Sequence, residues 1–281
     1  MELTIGADSV RRVHWEGAVL ALLAVVVAVF CGHALAQVEQ EWAAFYNGPG
    51  NSTDDATAMA VDAAGNVYVT GASIGADASA DYATVKYDAN GSELWVARYS
   101  GPGNSTDRAA AMAVDAAGNV YVTGDSDGSY YPPVDFLTVK YDANGNELWV
   151  ARYNNSAENS MGQAGFIAVD GSGNVYVSGN SLGTSAYFAG YAIVKYDGSG
   201  NELWVARLEY LIAGRRAVAL DATGNVYVTG DGYGYGTTGT GYATFKYDGS
   251  GNEVWRAHFR CAYHSGGTGL SLDGAGNVYV T

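Results

Sequence analysis

Three pentapeptides of the chain match the G-x-S-x-G pattern that surrounds the nucleophilic serine of many hydrolases. They are GASIG (71–75), GDSDG (124–128) and GNSLG (179–183). A nucleophile elbow needs one such serine, placed between a strand and a helix. In this chain the pattern recurs at corresponding places, the next copy reads GDGYG (230–234), and no helical periodicity follows any of them. The sequence therefore argues against serine catalysis at these positions.

Carboxylates could do two other kinds of chemistry. Asp125 and Asp127 have the opening spacing of a calcium loop, but no glutamate follows at the required distance. A glycoside hydrolase needs two carboxyl groups that face each other across a sugar. Glu158 and Glu209 are the glutamates outside the repeated segments, and nothing in the sequence pairs them. We therefore expect no metal, no cofactor and no recognised catalytic residue, with a carbohydrate-active enzyme as the alternative.

Aromatic and acidic side chains gather in three irregular segments, residues 125–133, 181–188 and 231–238. Tyrosine and glycine with a few acids suit adaptable contacts with sugars or proteins. The alternative interpretation is that these are solvated loops whose tyrosines only cover the surface. The predicted ligand-binding residues are Asp125, Asp127, Tyr130, Tyr131, Tyr187, Phe188, Tyr233 and Tyr235. We expect them to bind a protein or a glycan.

Between the irregular segments the chain repeats itself, and such self-similarity is read before local propensity. One motif is AVDAAGNVYVTG at 60–71 and again at 113–124, with variants starting at 168, 219 and 271. Its aspartates are Asp62, Asp115, Asp170, Asp221 and Asp273, which are 51–55 residues apart. A second motif, YATVKYDANGSELWVARY (82–99), lies between these copies and recurs three more times.

Each unit reads as four short β-strands joined by hairpins. In residues 66–70 valines alternate with other residues, the period-two pattern of a strand. The segment 62–66 supplies an aspartate that can accept hydrogen bonds from a turn and a glycine for positive φ. The segment 88–92 repeats this chemistry. Both connections are therefore predicted to be three-residue hairpins with a bulge.

The second hairpin of each unit leads to two side-chain predictions. If pairing is regular from the turn onward, Val85 faces Trp95 and Ala83 faces Ala97 in one apolar stripe. A lysine recurs on the third strand of every unit, at Lys86, Lys140, Lys195 and Lys246. We expect its stem to pack along the sheet while its amine reaches solvent.

Tandem units of four antiparallel strands are typical of a β-propeller. One small sheet cannot bury both of its faces alone, so each must pack against its neighbours. The tryptophans of the second motif then act as wedges between neighbouring blades. They are Trp95, Trp149, Trp204 and Trp255. The predicted fold class is all-β, a propeller of four-stranded blades with the regular hairpins on one rim and the irregular segments on the other.

The D-x-x-G-N-V-Y-V-T-G units resemble the seven-bladed β-propeller (SBBP) repeat family, which occurs in exported bacterial proteins. The resemblance covers nearly all of residues 41–281 and implies no catalytic residue. The K-Y-D-x-x-G-x-E-L-W segment is also similar to the repeat of quinoprotein-type propellers. Those dehydrogenases carry an adjacent cysteine pair, whereas only Cys261 lies in the repeat region of this chain. A quinoprotein-like enzyme is therefore a second alternative.

The first 36 residues have the three parts of a secretory signal peptide. Arg11 and Arg12 precede an apolar run at 18–30, and Ala34-Leu35-Ala36 forms a small-x-small cleavage site. Thirteen apolar residues are too few to cross a bilayer core. We therefore expect residues 37–281 to be the propeller domain, secreted, periplasmic or on the cell surface, with no stable membrane span after cleavage.

The net charge and the end of the chain lead to two further predictions. The formal net charge of −15 argues against nucleic acid or an anionic membrane as partner. Residues 41–46 read as the outermost strand of a blade, and the fifth copy of the first motif stops at Thr281 after two strands. We therefore expect about five blades in an apparently truncated chain, incomplete at its C-terminus.

Overall fold

The computed structural model describes residues 40–101, 106–127, 134–154, 162–181, 190–208, 211–233, 240–261 and 269–281. The chain divides into two units after Glu41, and the unit Trp42–Thr281 contains all the described strands. Every regular element in the described ranges is a β-strand. Within those ranges no helix is long and apolar enough to cross a membrane.

The strands of the described ranges form four four-stranded antiparallel sheets and one two-stranded sheet, in which neighbours in sequence are neighbours in the sheet. We call each sheet a blade. Blade 1 contains β1 (Asp54–Val61), β2 (Val67–Ile74), β3 (Ala80–Tyr87) and β4 (Glu93–Tyr99). Blade 2 contains β5 (Asp107–Val114), β6 (Val120–Asp127), β7 (Val134–Tyr141) and β8 (Glu147–Tyr153). Blade 3 contains β9 (Gly162–Val169), β10 (Val175–Ser181), β11 (Tyr191–Tyr196) and β12 (Glu202–Leu208). Blade 4 contains β13 (Leu211–Leu220), β14 (Val226–Tyr233), β15 (Thr240–Tyr247) and β16 (Glu253–Cys261). The terminal sheet contains β17 (Leu270–Leu272) and β18 (Val278–Val280).

The predicted hairpins are confirmed. In the first, the Asp62 amide donates to the Asn66 carbonyl at 3.0 Å, and Gly65 has φ 83°. In the second, the Asp88 amide donates to the Ser92 carbonyl at 2.9 Å, and Gly91 has φ 82°. An L-residue with a side chain rarely adopts such a φ, which explains why glycine stands at the same place in every copy.

The predicted pairing of the second hairpin was wrong by one residue. Tyr87 pairs with Glu93 as expected, but the register then shifts, so Lys86 pairs with Trp95 and Val85 with Val96. A bulge places one extra residue on β4 directly after the turn. Lysine and tryptophan therefore share one face of the blade, and the valines share the other.

A second bulge lies in the innermost strand of blades 1 to 3. It interrupts the register of β1 between Ala56 and Ala58, and the shift recurs in β5 and β9. The bulged main chain approaches the glycine that ends the V-Y-V-T-G motif. A Cβ on Gly71 would lie 1.9 Å from the Asp55 carbonyl oxygen, and one on Gly124 would lie 2.0 Å from that of Arg108. Glycine is required at these two positions because a Cβ atom would not fit, and not because of the backbone angle φ.

The tryptophans join neighbouring blades as predicted. The Trp95 indole Nε1 donates to the Ala143 carbonyl of blade 2 at 3.1 Å, and its ring lies against Gly145 of the same turn. Trp149 and Trp204 make the same bond to Gly198 and Gly249, each at 3.1 Å. Apolar clusters that combine residues of successive blades lie beneath these contacts.

Residues 41–46 do not form the predicted strand, since they join no β-ladder in the described structure. A strand needs a hydrogen-bonded neighbour, and none of the described strands pairs with this segment. Trp42 nevertheless docks like its counterparts, because its Nε1 donates to the Ala89 carbonyl at 3.1 Å and its ring lies over Gly91. The segment thus has the position of an outermost strand without the ladder.

Candidate functional site at the loop rim

The two kinds of connection lie on opposite rims of the blades, as the sequence predicted. We call the rim that carries the Asp-x-x-Gly turns the hairpin rim. The other, called the loop rim, carries the links between second and third strands and those between successive blades. In blade 1 it includes residues 47–53 and 75–79. Irregular loops usually carry binding function when a rigid scaffold positions them.

Hydrogen bonds within the turns occupy the carboxylates of the hairpin rim. Asp62 Oδ1 accepts from the amides of Ala64 and Asn66, and Oδ2 accepts from Asn66 Nδ2 and the Tyr68 hydroxyl. The side-chain bond from Asn66 lowers the pKa of Asp62 despite some burial. The same arrangement recurs at Asp115, Asp170, Asp221 and Asp273. Turn formation therefore explains why these aspartates recur.

The recurring lysine is buried in blades 1 and 3, at Lys86 and Lys195, which corrects the sequence-based expectation, whereas Lys140 and Lys246 are half-buried. Lys86 is 8% exposed, and its Nζ lies 5.0 Å from the centre of the Tyr68 ring and donates to the Ala143 carbonyl at 3.3 Å. The register shift places Trp95 rather than Leu94 beside it, on the face that packs against the next blade. A tyrosine ring of its own blade and a carbonyl oxygen of the next then replace the water around the ammonium. Burial raises the pKa of Tyr68 to about 12, with the Asp62 carboxylate adding to the effect.

A polar cluster joins the strand ends of blade 1 at the loop rim. Asp54, Ser73 and Asp81 are successive pairing partners across β1, β2 and β3. Arg98 of β4 extends across them. Its Nη1 donates to the Ser73 hydroxyl at 2.6 Å and the Tyr46 hydroxyl at 2.9 Å, and its Nη2 donates to Asp81 Oδ2 at 3.0 Å. One guanidinium thus holds the ends of β2 and β3 and the 42–46 segment to β4.

Blade 2 repeats the cluster in a more buried setting. Asp107, Ser126 and Asp135 are the successive partners, and Arg152 Nη2 donates to the Ser126 hydroxyl at 2.8 Å. Arg152 Nη1 lies 3.6 Å from Asp135 Oδ2. The Gly101 amide donates to Asp107 Oδ2 at 2.5 Å. Burial raises the pKa of both carboxyls, although hydrogen bonds to Asp107 and the Arg152 charge beside Asp135 oppose it.

Blade 3 lacks both carboxylates of this cluster. Gly162 stands where Asp54 and Asp107 stand, and Gly190 replaces the second aspartate opposite Ser181. Arg207 is kept, and its Nε donates to the Tyr153 hydroxyl of blade 2 at 3.0 Å. The cluster is therefore a property of blades 1 and 2 among the described blades. Sequence analysis missed it, although the recurrence of these aspartates and arginines at the repeat spacing could have shown it.

Few of the predicted binding residues fall in the described ranges with their side chains. Asp125 lies in β6, half-buried, where its Oδ2 accepts from Gln163 Nε2 of blade 3 at 3.5 Å. Asp127 and Tyr233 lie at the ends of β6 and β14, and the structure describes only their backbone. The others lie outside the described residues: Tyr130, Tyr131, Tyr187, Phe188 and Tyr235. Glu158, of the carbohydrate-active alternative, lies outside them too, as does Glu209.

The serines of the G-x-S-x-G segments occupy structural positions. Ser73 lies within β2, and the chain continues through a loop into β3 rather than into a helix. Arginine nitrogens donate to the hydroxyls of Ser73 and Ser126. A general base would have to accept a proton from such a hydroxyl, and an arginine cannot. Within the described residues no group of three histidine, cysteine or acidic side chains is placed to hold a metal.

Sequence comparison identifies the repeat. The model of the SBBP beta-propeller repeat matches residues 41–77 and 94–131. The chain carries SBBP beta-propeller repeats. No curated protein matches the sequence significantly.

Solved structures with the same fold include an α-L-arabinofuranosidase of Fusarium graminearum in complex with an iminosugar inhibitor. It is 11% identical, with a TM-score of 0.52 over 83% of this chain and 71% of that one. The arabinofuranosidase of the same organism with arabinobiose is 10% identical, with a TM-score of 0.49 over 79% and 67%. At this identity the first likeness shows the propeller fold alone.

Proposed function

We propose that this chain is an exported β-propeller module that binds a protein or a glycan at its loop rim. The observation that carries the proposal is the contrast between the two rims. Turn hydrogen bonds occupy the hairpin rim in every copy, whereas the loop rim carries segments that differ between blades. A repeated framework with one variable rim is the arrangement in which binding residues can change without loss of the fold.

The polar cluster supports this proposal because it holds in place the strand ends from which the loops extend. Arg98 holds the ends of β2, β3 and β4 at one point, so the loop at residues 75–79 begins and ends on rigid positions. A rigid base lowers the conformational entropy that a loop loses when it binds a ligand. The net charge of −15 favours a neutral or cationic ligand over nucleic acid.

A glycan array with matched variants tests the proposal. The purified chain is compared with Tyr130→Ala/Tyr131→Ala on the loop rim and with Asn144→Ala on the hairpin rim. We expect the loop variant to lose binding at least about tenfold, because stacking tyrosines supply much of the contact area, and Asn144→Ala to bind as the wild type does. Equal binding by the two variants, or loss only in Asn144→Ala, would place the ligand elsewhere and contradict the proposal.

A carbohydrate-active enzyme is the second candidate, since a protein of the same fold is an α-L-arabinofuranosidase. A glycosidase acid must reach the sugar, so the buried Asp107 and Asp135 do not qualify. The candidate carboxyls are Glu158 and Glu209 outside the repeated segments. Aryl glycosides, arabinofuranosides included, are the substrates for this test. Hydrolysis that Glu158→Gln or Glu209→Gln abolishes while glycan binding persists would favour the enzyme. Binding without turnover favours the binding module.

A further inference from the structure

The recurring arginine of the loop rim has different partners in different blades. Arg98, Arg152 and Arg207 occupy the same place in the repeat, three residues after the tryptophan. In blade 1, Arg98 donates to Asp81 Oδ2 at 3.0 Å and to the Ser73 hydroxyl at 2.6 Å. Blade 2 repeats this arrangement. In both blades the guanidinium is therefore occupied by groups of its own blade.

Blade 3 keeps the arginine without the carboxylates. Gly162 and Gly190 lie on either side of Ser181, where blades 1 and 2 have aspartates. Within the described ranges Arg207 forms no ion pair and no bond to Ser181. Its side chain is exposed, whereas those of its counterparts in blades 1 and 2 are only 22% and 26% exposed. No described carboxylate therefore neutralises the charge of Arg207.

A tyrosine of blade 2 fixes the direction of this guanidinium. Arg207 Nε donates to the Tyr153 hydroxyl at 3.0 Å, and the guanidinium carbon lies 5.8 Å from the centre of the tyrosine ring. Tyr153 is 5% exposed and packs on Phe136 with the ring centres 5.3 Å apart, which holds its hydroxyl in place. Because Nε makes this bond, Nη1 and Nη2 remain as donors for another group.

We propose that Arg207 binds a carboxylate of the ligand through Nη1 and Nη2, and that the ligand is a glycan with a single uronic acid. The inference rests on the proposed function, because Arg207 lies on the loop rim. The planar fork of a guanidinium matches the two oxygens of a carboxylate and forms two parallel hydrogen bonds with them. The ligand thus supplies in blade 3 the carboxylate that Asp81 and Asp135 supply in blades 1 and 2.

The net charge limits how many carboxylates the ligand carries. A chain with a formal charge of −15 repels a polyanion or a strongly acidic peptide. A sugar chain with one carboxylate carries only one charge that is repelled, and Arg207 offsets this repulsion locally. These charges favour a glycan with one uronic acid over an acidic peptide.

The bond to Tyr153 also prepares the guanidinium for binding. A long side chain that is free in solvent loses rotamer freedom when it binds a ligand, and this loss lowers the affinity. The Arg207 side chain has lost part of that freedom already, since it bonds to the neighbouring blade. The carboxylate should therefore raise the affinity of the ligand at least about tenfold.

Oligosaccharide pairs that differ only in one carboxyl group test the proposal. Each pair consists of a glycan with one terminal glucuronic acid and its methyl ester, which lacks the charge. In titration calorimetry the purified chain should bind the acid at least about tenfold more tightly than the ester. Arg207→Gln should bind both as the wild type binds the ester. Arg207→Lys keeps the charge without the fork and should retain only part of the preference.

An arginine that already has a carboxylate partner provides the matched control. Arg256 is 48% exposed, and its Nε lies 2.6 Å from Glu253 Oε1 in blade 4. Arg256→Gln should keep the wild-type preference for the acid, and circular dichroism checks that every variant folds. A loss of the preference in Arg256→Gln as large as that in Arg207→Gln would contradict the assignment to Arg207.

The other outcomes separate this inference from the proposed function. A wild-type chain that binds acid and ester equally overturns the inference and leaves glycan binding intact, whereas binding to no glycan at all contradicts both. Tighter binding of an acidic peptide than of the uronic acid overturns the choice of a sugar. Glu158 and Glu209 lie outside the described residues. A preference that appears only in Glu158→Gln or Glu209→Gln would mean that Arg207 already has a partner, and this too overturns the inference.

Discussion

Two classes of glycine recur in this chain for different physical reasons. Gly118 of the first turn has φ 81°, whereas Gly124 shows no positive φ and instead faces the bulge of β5. A methyl group on Gly124 would meet the Arg108 carbonyl oxygen and the Ala109 Cα, both in the main chain. The innermost strand would have to move away from β6 to relieve the contact. The bulge in β5 therefore requires a glycine at position 124 of β6.

We predict that Gly124→Ala lowers the free energy of unfolding by at least about 2 kcal/mol, because overpacking against main chain displaces a strand. Gly171 is the matched control, since a Cβ there meets nothing within 4 Å. Gly171→Ala should change stability by less than about 0.5 kcal/mol. Urea denaturation of both variants measures the two values, and similar losses for the two would refute the argument.

The aspartates of blade 2 predict opposite dependences of stability on pH. Burial raises the pKa of Asp107, so its contribution to the free energy of unfolding falls as pH rises from about 4, the unfolded value, through the folded pKa. Burial also acts on Asp115, but bonds from Asn119 and Tyr121 outweigh it and lower its pKa. Its contribution is present above a pH of about 4 and is lost as pH falls.

Stability curves of Asp107→Asn and Asp115→Asn against pH test this contrast. Relative to the wild type, Asp107→Asn should gain stability as pH rises from about 4 to about 7. Asp115→Asn should be less stable than the wild type at neutral pH, and the difference should shrink as pH falls below about 4. The two curves of variant minus wild-type stability must have opposite slopes against pH. Slopes of the same sign would show that the pKa of Asp107 or that of Asp115 shifts in the other direction.

At the scale of elements, the sequence predicted the strands, both hairpins and the tryptophan contacts because each depends on local chemistry repeated in every copy. The register of β3 and β4 was not predictable in this way, since the bulge after Glu93 adds a residue to β4 and no residue type marks it. That single shift also places Trp95 beside Lys86, on the face that packs against the next blade. An error of one residue in pairing changes which face a whole strand presents.

The position of each tryptophan in the repeat predicts its energetic contribution. Trp149 is covered by the turn of blade 3, where its indole bonds to Gly198, while the described ring contact of Trp255 is with Tyr227 of its own blade. Trp149→Ala should therefore cost about 3–5 kcal/mol of unfolding free energy. Trp255→Ala, measured in the same urea titration, should cost less than half as much. An equal loss for the two would mean that packing within a blade, not between blades, dominates.

For the whole molecule, the repeat made the propeller predictable, whereas no repeated pattern marks the ligand-binding residues. The repeated positions are determined by turns and packing, which sequence patterns report directly. The proposed binding residues lie outside the pattern, so neither turn chemistry nor packing determines their types. The polar cluster of Arg98 and Arg152 recurs in only two of the described blades, so its signal was weaker than that of the turns.

The extent to which neighbouring sheets cover each blade predicts that local stability differs between blades. Blades 2 and 3 are packed on both faces, whereas Met59 of β1 is 68% exposed and Tyr279 of β18 is 54% exposed. In a repeat protein, stability is the sum of repeat and neighbour contributions. Amide hydrogen exchange should therefore be slowest in β6, β7, β10 and β11, faster in β1, and fastest in β17 and β18.

Trp149→Ala provides a sharp check on this gradient. The substitution removes the contact that blades 2 and 3 share, so exchange should accelerate in β8 and β11 together while β2 and β3 keep their wild-type rates. Uniform protection across all blades, unchanged by the substitution, would mean that the sheets unfold as a single cooperative unit and that neighbour contacts do not set local stability.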